Sequence, residues 1–145
     1  MTDLQLAKSR LAGHTLCLVK DGNCIFSDKN GIAPMMGFIE EKLDLRGYCA
    51  ADLVVGKASA MLFVKCGIRE VFAKTLSESG KSVLEAHGVK YEYETLTEKI
   101  INRAGTDLCP MEKALSGICD IEEGYRTLKK TEKYLFRVWP VQYPV

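Results

Sequence analysis

The sequence predicts an α/β fold in three layers, a mixed five-stranded sheet with helices on both faces. Three observations point there. Asp21-Gly22 separates two short stretches, the first alternating, a pattern that marks a β-hairpin with a two-residue loop. Residues 48–55 are apolar apart from Asp52, as in a strand buried on both faces. From there helix-like and strand-like stretches alternate, and repeated β-α-β steps build a sheet with parallel strands.

The elements follow in order. Thr2 with Gln5 forms a capping box and Gly13 a stop, so the first helix covers about residues 3–12. Residues 14–20 and 23–27 are the hairpin strands. Pro34 suits the first turn of a second helix, with Met35, Ile39 and Leu43 on one face. After the 48–55 strand, Gly56 turns the chain into an apolar helix over 57–66, stopped by Gly67. Residues 69–76 are the next strand, and Ser77 caps a helix ending near His87 and Gly88. Residues 89–94 alternate as the last strand. An appendix follows over 95–135, with helices from Pro110 and from about Ile121, the latter capped by Asp120 with Glu123 behind it. Residues 1–135 are thus one domain with its core over 3–94. Residues 136–145 are an apolar extended tail, because Pro140 and Pro144 oppose a helix. Such a tail, with Trp139 in it, would dock on its own domain or on a second copy, which leaves a homo-oligomer open.

Composition narrows the function classes. The chain has 145 residues, 47% of them apolar and 27% charged, with a net charge of +1. That balance offers no basic field for nucleic acid and no polybasic anchor for a membrane. The basic run over 126–133 is interrupted by Glu132 and suits a solvated helix face. No apolar stretch approaches the ~20 residues of a membrane span. The start shows no basic region leading into an apolar run, so no signal peptide is expected. Six cysteines lie singly, with no Cys-x-x-Cys and no Cys/His cluster, as in a reduced, cytoplasmic protein.

Chemistry concentrates in Asn102-Arg103-Ala104-Gly105-Thr106-Asp107-Leu108-Cys109-Pro110-Met111-Glu112. Pro110 at the first helical position puts Cys109 at the N-cap, facing free amides and the positive end of the helix. A thiol there is a candidate for a depressed pKa. It also suits a small buried cap. No histidine follows nearby to act as its base; only His14 and His87 exist. Glu112 serves either as a cap or as an acid/base. Arg103 suits a carboxylate or phosphate by its planar fork, or pins the appendix to Asp52 or Asp107. Lys57 opens a helix, where a cation is unfavourable unless a ligand anion or Asp52 offsets it. A P-loop is excluded, because Ala51 stands where the first glycine belongs and Ala58 where Ser/Thr belongs.

The motifs Ala51-Asp52-Leu53-Val54-Val55-Gly56-Lys57-Ala58, Ile101-Asn102-Arg103-Ala104-Gly105 and Cys109-Pro110-Met111-Glu112-Lys113-Ala114 resemble a prokaryotic family of unknown function. The resemblance covers about residues 3–130 and implies a cytidine-deaminase-like fold. Zinc deaminases carry His-x-Glu or Cys-x-Glu opening the second helix and Pro-Cys-x-x-Cys opening the third. Here those openings read Gly31-Ile32-Ala33-Pro34 and Val55-Gly56-Lys57-Ala58. The resemblance therefore implies the fold without the zinc, and no metal or cofactor is expected.

In an open α/β sheet, ligands meet helix N-termini at the carboxyl ends of strands. The expected site is a composite of Asp52, Gly56, Lys57, Asn102, Arg103, Cys109 and Glu112. Lys57 and Arg103 would hold an anionic group, Asn102 would orient it, and Cys109 and Glu112 would carry any chemistry. Two classes remain. One is a binding or regulatory module for a small anionic ligand, nucleotide-like ones included. The other is a metal-free enzyme or thiol-dependent transferase using Cys109. The first is favoured, because no nucleophile–base pair is legible.

Overall fold

The computed structural model describes residues 1–100 and 109–138, with side chains given through residue 133. The elements run α1 (Asp3–Arg10), β1 (Leu16–Lys20), β2 (Asn23–Ser27), α2 (Ala33–Glu40), β3 (Cys49–Val55), α3 (Lys57–Lys65), β4 (Glu70–Ser77), α4 (Glu78–Ala86), β5 (Lys90–Thr97), α5 (Pro110–Ala114) and α6 (Ile121–Val138). The five strands form one sheet in the order β2-β1-β3-β4-β5. β1 pairs antiparallel with β2 and with β3, while β3, β4 and β5 run parallel.

Local signals explain most of these boundaries. Thr2 and Gln5 exchange both bonds of the capping box at the start of α1. Asp21 and Gly22 hold φ values of 50° and 81°, the left-handed pair that matches the twist of a two-residue hairpin. The Ser77 hydroxyl accepts from the Gly80 amide at 3.0 Å and starts α4. The Asp120 carboxylate accepts from the Glu123 amide at 2.8 Å and starts α6.

The sheet is covered unequally. On one face α1 packs Leu4, Ala7 and Leu11 onto Cys17, Val19, Cys49, Ala51 and Phe72. The other face carries the larger core. There Leu16, Leu18, Ala50, Val71 and Ala73 meet α2, α3 and α4, and Met111, Leu115 and Leu128 of α5 and α6 join the same cluster. Six consecutive residues of α3, from Ala58 to Phe63, are buried. This helix touches α2, α4, α5 and α6 as well as β3, which accounts for its apolar character on most sides.

Some elements differ from expectation. β5 continues to Thr97, because Leu76 and Ser77 of β4 still pair with Leu96 and Thr97. Leu43 lies beyond α2 and is exposed, so it is no part of that helix face. α6 continues to Val138, so residues 136–138 are helical where an extended arm was expected. Residues 139–145, with the docking expected of them, lie outside the described residues.

Candidate functional site

β3 ends at Val55, and Gly56 turns the chain into α3. Gly56 is the N-cap and has no side chain to satisfy the first amides of the helix. Glu112 of α5 does so instead. Its Oε1 accepts from the Lys57 amide at 2.7 Å and its Oε2 from the Ala58 amide at 2.9 Å. The carboxylate is 9% exposed and stands at the positive end of the helix. A side chain at position 56 would force its neighbours to shift. A Cβ there would lie 2.7 Å from Glu112 Cδ and 2.9 Å from Ile100 Cγ1.

The Lys57 ammonium points elsewhere. Nζ donates to the Leu115 carbonyl at 2.8 Å, at the C-cap of α5. Lys57 and Glu112 therefore join α3 and α5 twice, each charge answering the helix end that suits it. Neither Asp52 nor a ligand is needed to offset the lysine, and Lys57 does not line the cavity beside it.

That cavity measures about 260 Å³. It lies between the openings of α2 and α3, with Asn30, Gly31 and Ile32 on one side and Gly56, Ala58 and Ser59 on the other. Asp52, Leu53 and Val54 of β3 form its base with Thr15, and Ile100, Cys109, Met111 and Glu112 close it. The Cys109 amide donates to the Ile100 carbonyl at 2.9 Å, so the two residues flanking 101–108 meet at the cavity wall. None of the described lining residues is Lys, Arg or His.

Asp52 is the most perturbed group of the site. It is 8% exposed, and burial pushes its carboxyl up to about 8, although the amides of Val54 and Leu53 act in the opposite direction. At neutral pH it is mainly a neutral acid. The Cys109 thiol is also pushed up, first by burial and further by the Glu112 charge, while the amides of Glu112 and Met111 lower it. The depressed pKa expected from the N-cap position is therefore corrected: α5 has only five residues, and desolvation outweighs its short row of donors. The histidines are engaged elsewhere. His14 meets Asp28 at 2.7 Å and stacks on Phe26, and His87 is the exposed C-cap of α4.

Of the expected residues, Asp52, Gly56, Cys109 and Glu112 line one cavity, and Lys57 touches it only through its backbone neighbours. Asn102 and Arg103 lie outside the described residues. Sequence reasoning missed Ser59, which is 6% exposed in the first turn of α3 and lines the cavity. Its place three residues after the Gly56 turn was a usable signal. Thr15 and Ile100 carried none. Among the described residues, no three His, Cys, Asp or Glu groups stand where they could hold a metal ion together. No helix among them is long and apolar enough to cross a membrane.

Comparison with known proteins places the chain in a family. Residues 6–131 match the domain of unknown function DUF1893, and the chain belongs to that family. The crystal structure of a DUF1893 family protein from Thermotoga maritima superposes with a TM-score of 0.79 at 21% identity, covering 90% of each chain. That likeness shows the fold. A diaminohydroxyphosphoribosylaminopyrimidine deaminase/5-amino-6-(5-phosphoribosylamino)uracil reductase from the same organism gives a TM-score of 0.42 at 17% identity, covering 93% of this chain and 39% of the other. The comparison with curated proteins finds no match.

Proposed function

We propose that this member of the DUF1893 family is a small-molecule-binding protein that works without zinc, its ligand seated in the cavity at the carboxyl end of β3. The observation that carries this reading is the cavity itself, which combines mostly apolar walls with the buried Asp52 carboxyl, Ser59 and Cys109. A few polar groups set in apolar walls is the usual make-up of a ligand pocket, and roughly 300 Å³ is the lower end of the range for such pockets. The size suits a ligand of about one ring. An anionic, nucleotide-like ligand has thinner support, because the Lys57 ammonium is held by Leu115 and the described lining brings no Lys, Arg or His.

A thiol-dependent enzyme is the weaker alternative. Burial keeps the Cys109 thiol protonated, and Glu112, the nearest candidate base, is already bonded to two amides. A binding or regulatory role needs neither group to react.

The test is a fragment screen read by melting temperature, run on the natural chain and on Val54→Trp. Val54 lines the cavity and is 43% exposed, so a larger side chain there fills the opening without entering the core. Single-ring fragments should stabilise the natural chain, by about 2.7 kcal/mol at a hundredfold excess over Kd. They should leave Val54→Trp unmoved. Equal stabilisation of both proteins rejects the cavity as the binding site.

A further inference from the structure

We infer that the cavity selects ligands with a cationic, N–H-rich edge, of the amine, amidine or guanidine class, which seats on the Asp52 carboxylate. The inference rests on the cavity being a ligand site, and it deepens that reading by assigning the charge and the recognition edge.

Four observations lead to it. First, Asp52 lies in the cavity base and is more than nine-tenths buried. Second, the described residues around it supply no cation. Its neighbours across the sheet are Leu16 of β1 and Ala73 of β4, and α3 contributes Ala58 and Ser59. The other titratable groups among the described lining residues are Cys109 and Glu112, which bring no positive charge. Third, the positive end of α3, where an anionic ligand would otherwise bind, is occupied by the Glu112 carboxylate through two amide bonds. Fourth, Lys57, which opens the helix beside the cavity, is fixed on the Leu115 carbonyl. The described lining is therefore acidic and carries no basic group, within otherwise apolar walls.

A buried carboxyl without a counter-charge holds its proton, consistent with the rise to about 8. A cation with N–H donors reverses that balance. Binding places the charge against the carboxylate, the Asp52 proton leaves to solvent, and two parallel N–H···O bonds form where the ligand is planar. No covalent bond changes. An anionic ligand of the same size would meet two carboxyl groups and find the Lys57 and Ala58 amides of α3 already taken by Glu112.

The experiment uses three isosteric probes on the full chain: benzamidinium, neutral benzamide and anionic benzoate. Calorimetry gives the affinities, and methyl NMR of Ile32, Ile100 and Met111 locates the site. Benzamidinium should bind best, and its affinity should rise about tenfold per pH unit up to about pH 8 and then level, because one proton leaves on binding. Asp52→Asn should abolish both the preference and the pH slope. The slope in the natural chain tests the idea even if that variant folds poorly. Benzoate binding more tightly than benzamidinium overturns the inference; it is also the result expected if Arg103 supplies charge to the cavity. If benzamide shifts the same methyls with an affinity equal to that of benzamidinium, the cavity reading stands and the cationic edge falls. If no probe shifts them, both fall.

Discussion

Replacing Glu112 tests the join between α3 and α5 directly. Its carboxylate takes two amide bonds, at 2.7 and 2.9 Å, in a nearly buried position. Hydrogen bonds to a charged group contribute about 1.5–3 kcal/mol each, and a buried donor left unpaired costs about 1–3 kcal/mol. Glu112→Gln keeps one acceptor and turns an NH2 group toward a donor, so about one bond is lost along with the helix-end charge. The expected cost is about 3 kcal/mol. For a chain of this length that lowers the melting temperature by about 10 °C. Hydrogen exchange locates the effect: the amides of Lys57 and Ala58 should lose protection before the rest of α3. Glu112→Ala should cost more, and it leaves a gap beside two free amides. Acetate should then restore part of the lost stability, and chloride at the same ionic strength should not. A Glu112→Gln protein melting within about 2 °C of the natural chain refutes the argument, as does unchanged protection at Lys57 and Ala58.

Three further outcomes follow from the same geometry. Gly56→Ala should destabilise by about 1–3 kcal/mol in urea unfolding, because the new methyl meets Glu112 and Ile100 in a packed turn. Asp52 should make stability fall as pH rises. Its folded pKa of about 8 lies above the ordinary 3.8, so its contribution is full below about pH 4 and is lost as pH rises to about 8. Urea midpoints of the natural chain should decline across that window, and those of Asp52→Asn should decline much less, the half-buried Glu132 carboxyl adding a smaller fall of the same sign. Lys57→Met should cost about 1–2 kcal/mol by removing the bond to the Leu115 carbonyl, while affinity for a cavity ligand stays within about twofold.

The fold was legible because its boundaries are written locally. Thr2 and Gln5 specify one helix start, Ser77 and Asp120 two more, and Asp21-Gly22 specifies both the hairpin and its register. The β3 run, apolar apart from Asp52, marks the central strand, and the apolar α3 marks the central helix. What escaped were features decided by tertiary contact. β5 outlasts its alternation because β4 offers partners as far as Ser77. Leu43 looked like a helix position by spacing, yet Lys42 ahead of it has a positive φ of 59°, which ends the helical path first.

The site was legible as a list of polar residues and not as a set of partnerships. Electrostatics at a helix start required something to offset Lys57, and the candidates were a ligand or Asp52, both close at hand. The structure answers with two partners on α5, each more than fifty residues away in sequence, a separation across which neither spacing nor propensity carries a signal. That pairing changes what remains for function. Glu112 is the carboxylate held by two short amide bonds at the start of α3. Asp52 is the carboxylate without a charged partner among the described residues, and burial rather than bonding sets its state. In a buried position the first arrangement stabilises the fold, while the second costs stability whenever the group ionises. A costly acid in the base of a cavity is therefore where a ligand has most to gain, and Asp52 rather than Lys57 or Cys109 becomes the residue on which recognition turns.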